Sequence, residues 1–198
     1  MKKKNVFKWW GVVLFLCMCS VHAEAQDLKS ILTGVAKAAI GNKATTAHSI
    51  VGTWSYQAPE CQFESDQLLA KAGGEVAAKE VEEKLQTIYD KIGLTSIKYI
   101  FKEDGTCSYI LKRRTVSGTY VFDEEAKTII MKSKLGIQTV AYVTVTGNSM
   151  SLVFNADKLM SILKVITGAA SKVNSTAATL NSVAEAYDGL MLGFELKK

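Results

Sequence analysis

Histidine and arginine are nearly missing from this 198-residue chain. It has two histidines, and Arg113 and Arg114 are its two arginines. One histidine lies before residue 26. The other, His48, stands in a polar stretch where a solvated side chain is the ordinary reading. A zinc triad of three protein ligands would have to be assembled from scattered carboxylates or cysteines. There is no C-x-x-C pair, so a zinc knuckle and a thioredoxin-like redox site both lack their motif. No G-x-S-x-G elbow appears, and the serines have no visible partner base. Gly73-Gly74 lacks the preceding strand and the spacing of a phosphate-binding loop, and reads as a helix break. Two adjacent arginines point to opposite faces if they lie in a strand, which is no basic stripe for a nucleic acid. These absences argue against an enzyme, a resident metal or cofactor, and a nucleic-acid partner.

What is there suits one domain of ordinary size, with 48% hydrophobic and 22% charged residues. The formal charge of +5 is misleading. The segment through Ala25 holds Lys2, Lys3, Lys4 and Lys8 against Glu24 alone, so removing it brings the net charge to +2. That segment has the three parts of a secretory signal: a lysine-rich start, the apolar run over 9–19, and Ala23-Glu24-Ala25 as the small-residue cleavage pattern. Residues 1–25 are therefore expected to be a signal peptide, cleaved before Gln26. The run is too short to be a permanent membrane span. Leu16-Cys17-Met18-Cys19 offers a rival. It is similar to a lipobox, in which Cys19 would be acylated and the protein held at the outer membrane. Met18 is bulky for its place in that motif, and a soluble exported form, periplasmic or secreted, is the preferred reading.

Cys61 and Cys107 are the cysteines left after the signal. In an oxidising compartment an even pair can form one disulfide; the alternative is two small buried apolar side chains. Both readings stay open at this level.

Residues 26–49 divide into an amphipathic helix, with Leu28, Ile31, Leu32, Val35 and Ala39 at helical spacing, and a polar linker over 42–49. From residue 50 to 198 the pattern is that of one domain. Residues 50–56 read as a first strand stopped near Pro59. Helices follow near 65–92: Ser65 caps the first, Gly73-Gly74 breaks it at a cost of roughly 2 kcal/mol relative to alanine, and Ala77, Val81, Leu85, Ile88 and Ile92 form the second apolar face.

Between 96 and 154 the period changes to two. Six short strands alternate with turns, among them Asp104-Gly105, the charged tip Asp123-Glu124-Glu125, and Gly147-Asn148. The charged tip reads as solvated turn residues rather than a metal or acid–base cluster. A helical hairpin is expected over 156–187, and Leu190, Leu192, Phe194 and Leu196 mark a last strand. Short connections make neighbouring strands antiparallel. Eight of them predict a mainly antiparallel β fold, an eight-stranded up-and-down barrel with helical insertions. An open sheet covered by helices is the alternative.

Gly52-Thr53-Trp54 resembles the G-x-W motif on the first strand of lipocalins. The ordered set also includes Phe63-Glu64-Ser65-Asp66 running into Gly73-Gly74, Asp104-Gly105-Thr106, Ser117-Gly118-Thr119-Tyr120, Tyr187-Asp188-Gly189-Leu190 and Gly193-Phe194. Together these are similar to secreted bacterial lipocalin-like proteins classed as a domain of unknown function. The resemblance implies a barrel with Trp54 plugging one end. Two departures weaken what it implies about ligand carriage: Lys197 and Lys198 stand where a lipocalin places an arginine to stack on the tryptophan, and ordinary lipocalins lack the helical insertion after the first strand. Fold alone does not assign function.

Binding is the better-supported class. Tyr99, Phe101, Tyr109, Leu111, Val143, Leu152 and Phe154 are the candidates for an inward face that could line a pocket for a small apolar ligand, with Trp54 as its floor. The alternative is a barrel filled by these same side chains, serving as a structural or protein-interaction module.

Overall fold

The computed structural model describes residues 45–134, 136–156, 158–159, 163, 185–187 and 189–198. The signal segment with Cys19, the helix expected over 27–40 and most of the hairpin expected over 156–187 lie outside these residues.

Alternating side chains and tight turns give the strands their lengths. β1 (Gly52–Phe63) is followed by two helices, then by β2 (Lys98–Phe101), β3 (Thr106–Leu111), β4 (Arg114–Asp123), β5 (Thr128–Ser133), β6 (Gln138–Thr146), β7 (Ser149–Asn155) and finally β8 (Leu190–Lys197). Each pairs with its sequence neighbour, and β8 returns to β1, closing an eight-stranded antiparallel barrel. Closure pairs the first strand with the last, so neither ends the sheet as a free edge strand that could template further pairing. The turn chemistry is local. Asp104 Oδ1 accepts from the Thr106 amide at 2.9 Å and its hydroxyl at 2.6 Å, while Asp123 Oδ1 accepts from the Glu125 and Ala126 amides. Asp123 is thus bound into its own turn, while Glu124 and Glu125 are exposed.

An up-and-down path puts its turns at alternate ends. The β2–β3, β4–β5 and β6–β7 turns share one end with Gly52 and Lys198. The β3–β4 and β5–β6 turns share the other, where both helical insertions leave the wall.

β1 runs further than expected, straight through Pro59. It pairs with β2 only from Gly52 to Ser55, but with β8 from Ser55 to Phe63, with a bulge between Tyr56 and Ala58. Past Ser55, then, one side of β1 has no strand beside it. Cys61 shows which way that side faces, since its amide donates to Glu82 Oε1 at 3.2 Å rather than to β8. Pro59, two residues earlier, turns its nitrogen the same way, so its missing N–H costs no ladder bond.

The helices fill that gap. Ser65 caps α2 (Asp66–Ala72) by accepting from the Leu68 amide, and Gly73, at φ 109°, ends it. α3 (Glu75–Ile92) buries Ala77, Val81, Leu85, Ile88, Tyr89 and Ile92. Val81, Leu85, Ile88, Tyr89 and Ile92 join the core with the side chains of the barrel interior. Leu159 and Leu163, four residues apart, are fully buried in the same core.

Residues 45–49 are not the solvated linker expected. Thr45 is fully buried, its hydroxyl accepting from the Val145 amide at 2.8 Å and its carbonyl from Lys127 Nζ at 2.8 Å. Thr46 and Ser49 then form a reciprocal capping box around the single turn α1 (Ala47–Ile50). His48 in that turn is exposed.

The disulfide reading is corrected. Cys61 and Cys107 are both free thiols. Cys107 pairs across Phe101, which pairs with Gly52. Cys61 lies nine residues further along β1, roughly 30 Å of strand, so the two cannot come within the roughly 7 Å between Cα atoms that a bridge allows.

Candidate functional site

The strand register puts all eight candidate residues on one surface, the inside of the barrel. Trp54 pairs with Tyr99 and Tyr99 with Tyr109. Phe101 and Leu111 follow on the same alternation, and Val143 pairs with Leu152, which pairs with Phe194. Phe154 is two residues on from Leu152 along β7. A slip of one residue would have turned the whole set outward. Lys98 and Lys102, between these positions in the sequence, are exposed.

The inside is not uniform along its length. At the Trp54 end it is solid. Trp54 is fully buried and its indole Nε1 donates to the Ile50 carbonyl at 2.7 Å. Lys198 Nζ stands 4.7 Å from the indole centroid and donates to the Ser49 carbonyl at 3.2 Å. The lysine therefore takes the position over the tryptophan that the lipocalin resemblance gives to arginine. Gly52 is what lets it pass: at φ 144° a Cβ there would lie 2.5 Å from Lys198 Cε. Phe101 packs edge-on to Tyr120 at 5.1 Å and stacks on Tyr99 at 6.1 Å. Phe194 touches Tyr56, Tyr89, Tyr99 and Phe154. Further along the barrel Leu152 is fully buried and Val143 nearly so, as is Leu111 beside the β3–β4 turn at the other end.

Beneath β3, β4 and β5, towards the end that carries the helices, a cavity of about 40 Å³ remains. Tyr99, Tyr109 and Phe154 line it, together with Cys107, Val116 and Met131, and Ser133, Ile137 and Thr139 stand at the β5–β6 turn. The side chains of Trp54, Phe101, Leu111, Val143 and Leu152 are not among its walls. The structure thus gathers three of the eight candidates around open space and uses the other five as packing.

Among the described residues, Tyr109 Oη is the buried side-chain polar atom without a hydrogen-bond partner. Burial pushes its phenol up to about 12, with Arg114 pulling back down and Cys107 adding to the rise. Burial holds Tyr99 well above the ordinary phenol range and pushes the Cys107 thiol up to about 11. At neutral pH the cavity therefore presents neutral donors, aromatic faces and soft sulfur. Its thiol is held protonated, the opposite of what a nucleophile needs. Among the described residues, no group of three or more histidine, cysteine or acidic side chains is placed to hold a metal ion.

Sequence reasoning missed Val116, Met131 and Thr139 as walls, and Cys107 as one of the residues lining the cavity. The signal was present for Cys107, which shares the alternation of Tyr109 and Leu111. It also missed Tyr89, whose hydroxyl reaches from α3 to donate to the Gly193 carbonyl at 3.1 Å.

A family model described as a lipocalin-like domain (DUF4923) matches residues 26–198. Among solved structures, the chain is similar to a DUF4847 family protein from Bacteroides vulgatus ATCC 8482. Identity is 12% over 74% of this chain and 91% of that one, with a TM-score of 0.34. No curated protein matches the chain.

Proposed function

The chain belongs to the lipocalin-like DUF4923 family, and on that premise we propose a non-enzymatic, exported cell-envelope protein that binds a compact, largely apolar ligand in its barrel. The export reading rests on the signal pattern over 1–25. The family match beginning at residue 26, where the expected cleavage leaves the chain, supports it.

The ligand reading rests on one observation, the partnerless Tyr109 hydroxyl at the cavity wall. A buried hydroxyl without a partner costs about 1–3 kcal/mol, and a ligand bringing one acceptor would recover that. The walls are mainly aromatic rings, aliphatic groups, a thioether and a thiol, with Ser133 and Thr139 on one side, so the rest of the ligand is largely apolar. Its size is limited, because pockets for drug-sized molecules run from about 300 Å³ upward. A space of about 40 Å³ suits a compact carbonyl or ether compound rather than a fatty chain. The second reading, a structural or interaction module with a filled barrel, is favoured by the packing of Trp54, Phe101, Leu152 and Phe194.

Native mass spectrometry of protein purified from its own envelope, followed by thermal-shift titration with small ketones, aldehydes and aryl ethers, tests the choice. Binding should saturate and weaken about tenfold in Tyr109→Phe, the loss of one hydrogen bond. A clean polypeptide mass together with no saturable shift would leave the filled module standing. The same spectrum distinguishes a chain starting at Gln26 from one acylated on Cys19.

A further inference from the structure

Apolar side chains on the outside of the barrel fare differently on its two sides. On β7 and β8, outward-facing Val153 and Met191 are 1% and 7% exposed. On β4, β5 and β6, Val121, Ile130 and Val140 are 68%, 38% and 47% exposed. The register makes these three one row, Val121 pairing with Ile130 and Ile130 with Val140. Tyr142, also exposed, extends the row along β6. A contiguous apolar strip of this kind on a folded surface marks an interaction site.

The charges at the two ends of the strip identify its occupant. The turns at the Trp54 end carry Glu103 and Asp104, then Asp123, Glu124 and Glu125, all exposed. Of the lysines nearby, Lys127 is turned to the Thr45 carbonyl and Lys102 is exposed beside Glu103, which leaves the five carboxylates in excess at this end. At the opposite end, the turns and strand ends carry Lys112, Arg113, Lys132 and Lys134, also exposed. This side of the barrel is therefore acidic at one end, apolar in the middle and basic at the other.

We propose that the outer face of β4, β5 and β6 is a homodimer interface. A two-fold axis lying in the interface across the strands reverses their direction in the second copy. Each acidic turn then meets the partner's basic turn over the shared Val121–Ile130–Val140 row. Such an isologous contact closes on itself and does not propagate. This holds whether or not the cavity takes a ligand.

The available area sets the strength. Three strands about 4.8 Å apart and a β4 of ten residues give roughly 450 Å² per copy. The total of roughly 900 Å² falls below the roughly 1,200 Å² of a stable complex. The dimer is therefore in exchange with monomer, with a Kd in the micromolar range or weaker, and salt weakens it further.

Sedimentation equilibrium of protein expressed from the full-length sequence, between about 5 and 500 μM at low and high salt, tests this. A mass rising towards two copies at low salt is expected. Val121→Thr with Ile130→Thr keeps β-branched side chains in both strands and should weaken association at least tenfold. Glu124→Lys with Glu125→Lys should also weaken it, as should Arg113→Glu with Lys134→Glu. Mixing those two charge variants one to one should restore association as a heterodimer, because each then offers like charges at both ends to a partner of the other sign. Circular dichroism confirms that each variant is folded. A monomer at every concentration, or a dimer indifferent to the threonine pair, or a mixture no tighter than its parts, overturns the proposal.

Discussion

At the Trp54 end of the barrel every element converges on one plug. The indole bonds to Ile50, Lys198 lies over it, Gly52 leaves room for that lysine, and Thr45 ties the entering chain to Val145 and Lys127. At the end carrying the helices the same wall leaves Tyr109 Oη without a partner beside open space. Both ends use aromatic side chains on one strand alternation, so composition does not separate them. The difference is whether each polar group of an aromatic residue is met. A met group converts a large side chain into a rigid stopper, and an unmet one leaves a place for something else to bind.

The largest test of that contrast is Trp54→Ala. Removing a fully buried indole and its bond should cost about 3–5 kcal/mol, read as a lowered urea midpoint at unchanged slope. Tyr109→Phe at the other end should leave stability unchanged or raise it by up to about 1 kcal/mol, because it deletes a hydroxyl that nothing meets. Equal losses at the two positions would erase the distinction between plug and pocket.

Tyr89 comes next, since it closes the helical end by reaching the Gly193 carbonyl from α3. Tyr89→Phe keeps the ring against Phe194 and Tyr56 and removes the bond alone, for a loss of about 1 kcal/mol. A loss as large as that of Trp54→Ala would mean the ring itself is displaced, and would sink the view that α3 is a pre-packed cover. Lys198→Ala should cost less, about 0.5–1 kcal/mol for an exposed cation over an indole. That cost should shrink in high salt. A salt-independent loss would assign the lysine's role to its aliphatic stem packing over Gly52 instead.

Much of this was legible in the sequence, for a physical reason. Tyr99 and Phe101 alternating with Lys98 and Lys102 can be satisfied only by a wall with one dry and one wet side, and Asp104-Gly105 can hardly do anything but turn. The barrel, its strand count and its inner face follow from such local constraints. Where sequence reading failed, the deciding partner was distant. Pro59 stops a strand that has neighbours on both sides, but β1 has lost β2 by that point. Thr45 looks like linker until the Val145 amide, a hundred residues away, donates to its hydroxyl. Cys61 and Cys107 look like a pair until the register sets them at opposite ends of the wall. The division of the eight inward candidates into three cavity walls and five packing residues was likewise beyond reach, because a space of a few tens of cubic ångströms depends on how side chains from six strands interlock.

Glu82 gives the smallest effect, and it reports on the seam where α3 replaces the missing strand. Its carboxylate accepts from the Cys61 amide at 3.2 Å, yet its pKa is raised, first by burial and also by Glu60 and Glu195, against the lowering from that bond and from Lys79. A carboxyl whose folded pKa lies above its unfolded one favours the native state while protonated. Its contribution is full below the unfolded value and is lost as pH rises through the folded value. Glu82→Gln keeps an acceptor for Cys61 and removes the ionisation. The variant and the parent should be nearly equal at pH 4, and between pH 4 and 7 the variant should gain roughly 0.5 kcal/mol or less, the group being half-exposed and screened. Urea midpoints at four pH values across that range would show the two curves separating. If instead the parent gained on the variant as pH rose, the charged carboxylate would be a stabilising substitute for the absent β2 ladder bond, and the seam would be an electrostatic joint rather than a tolerated burial.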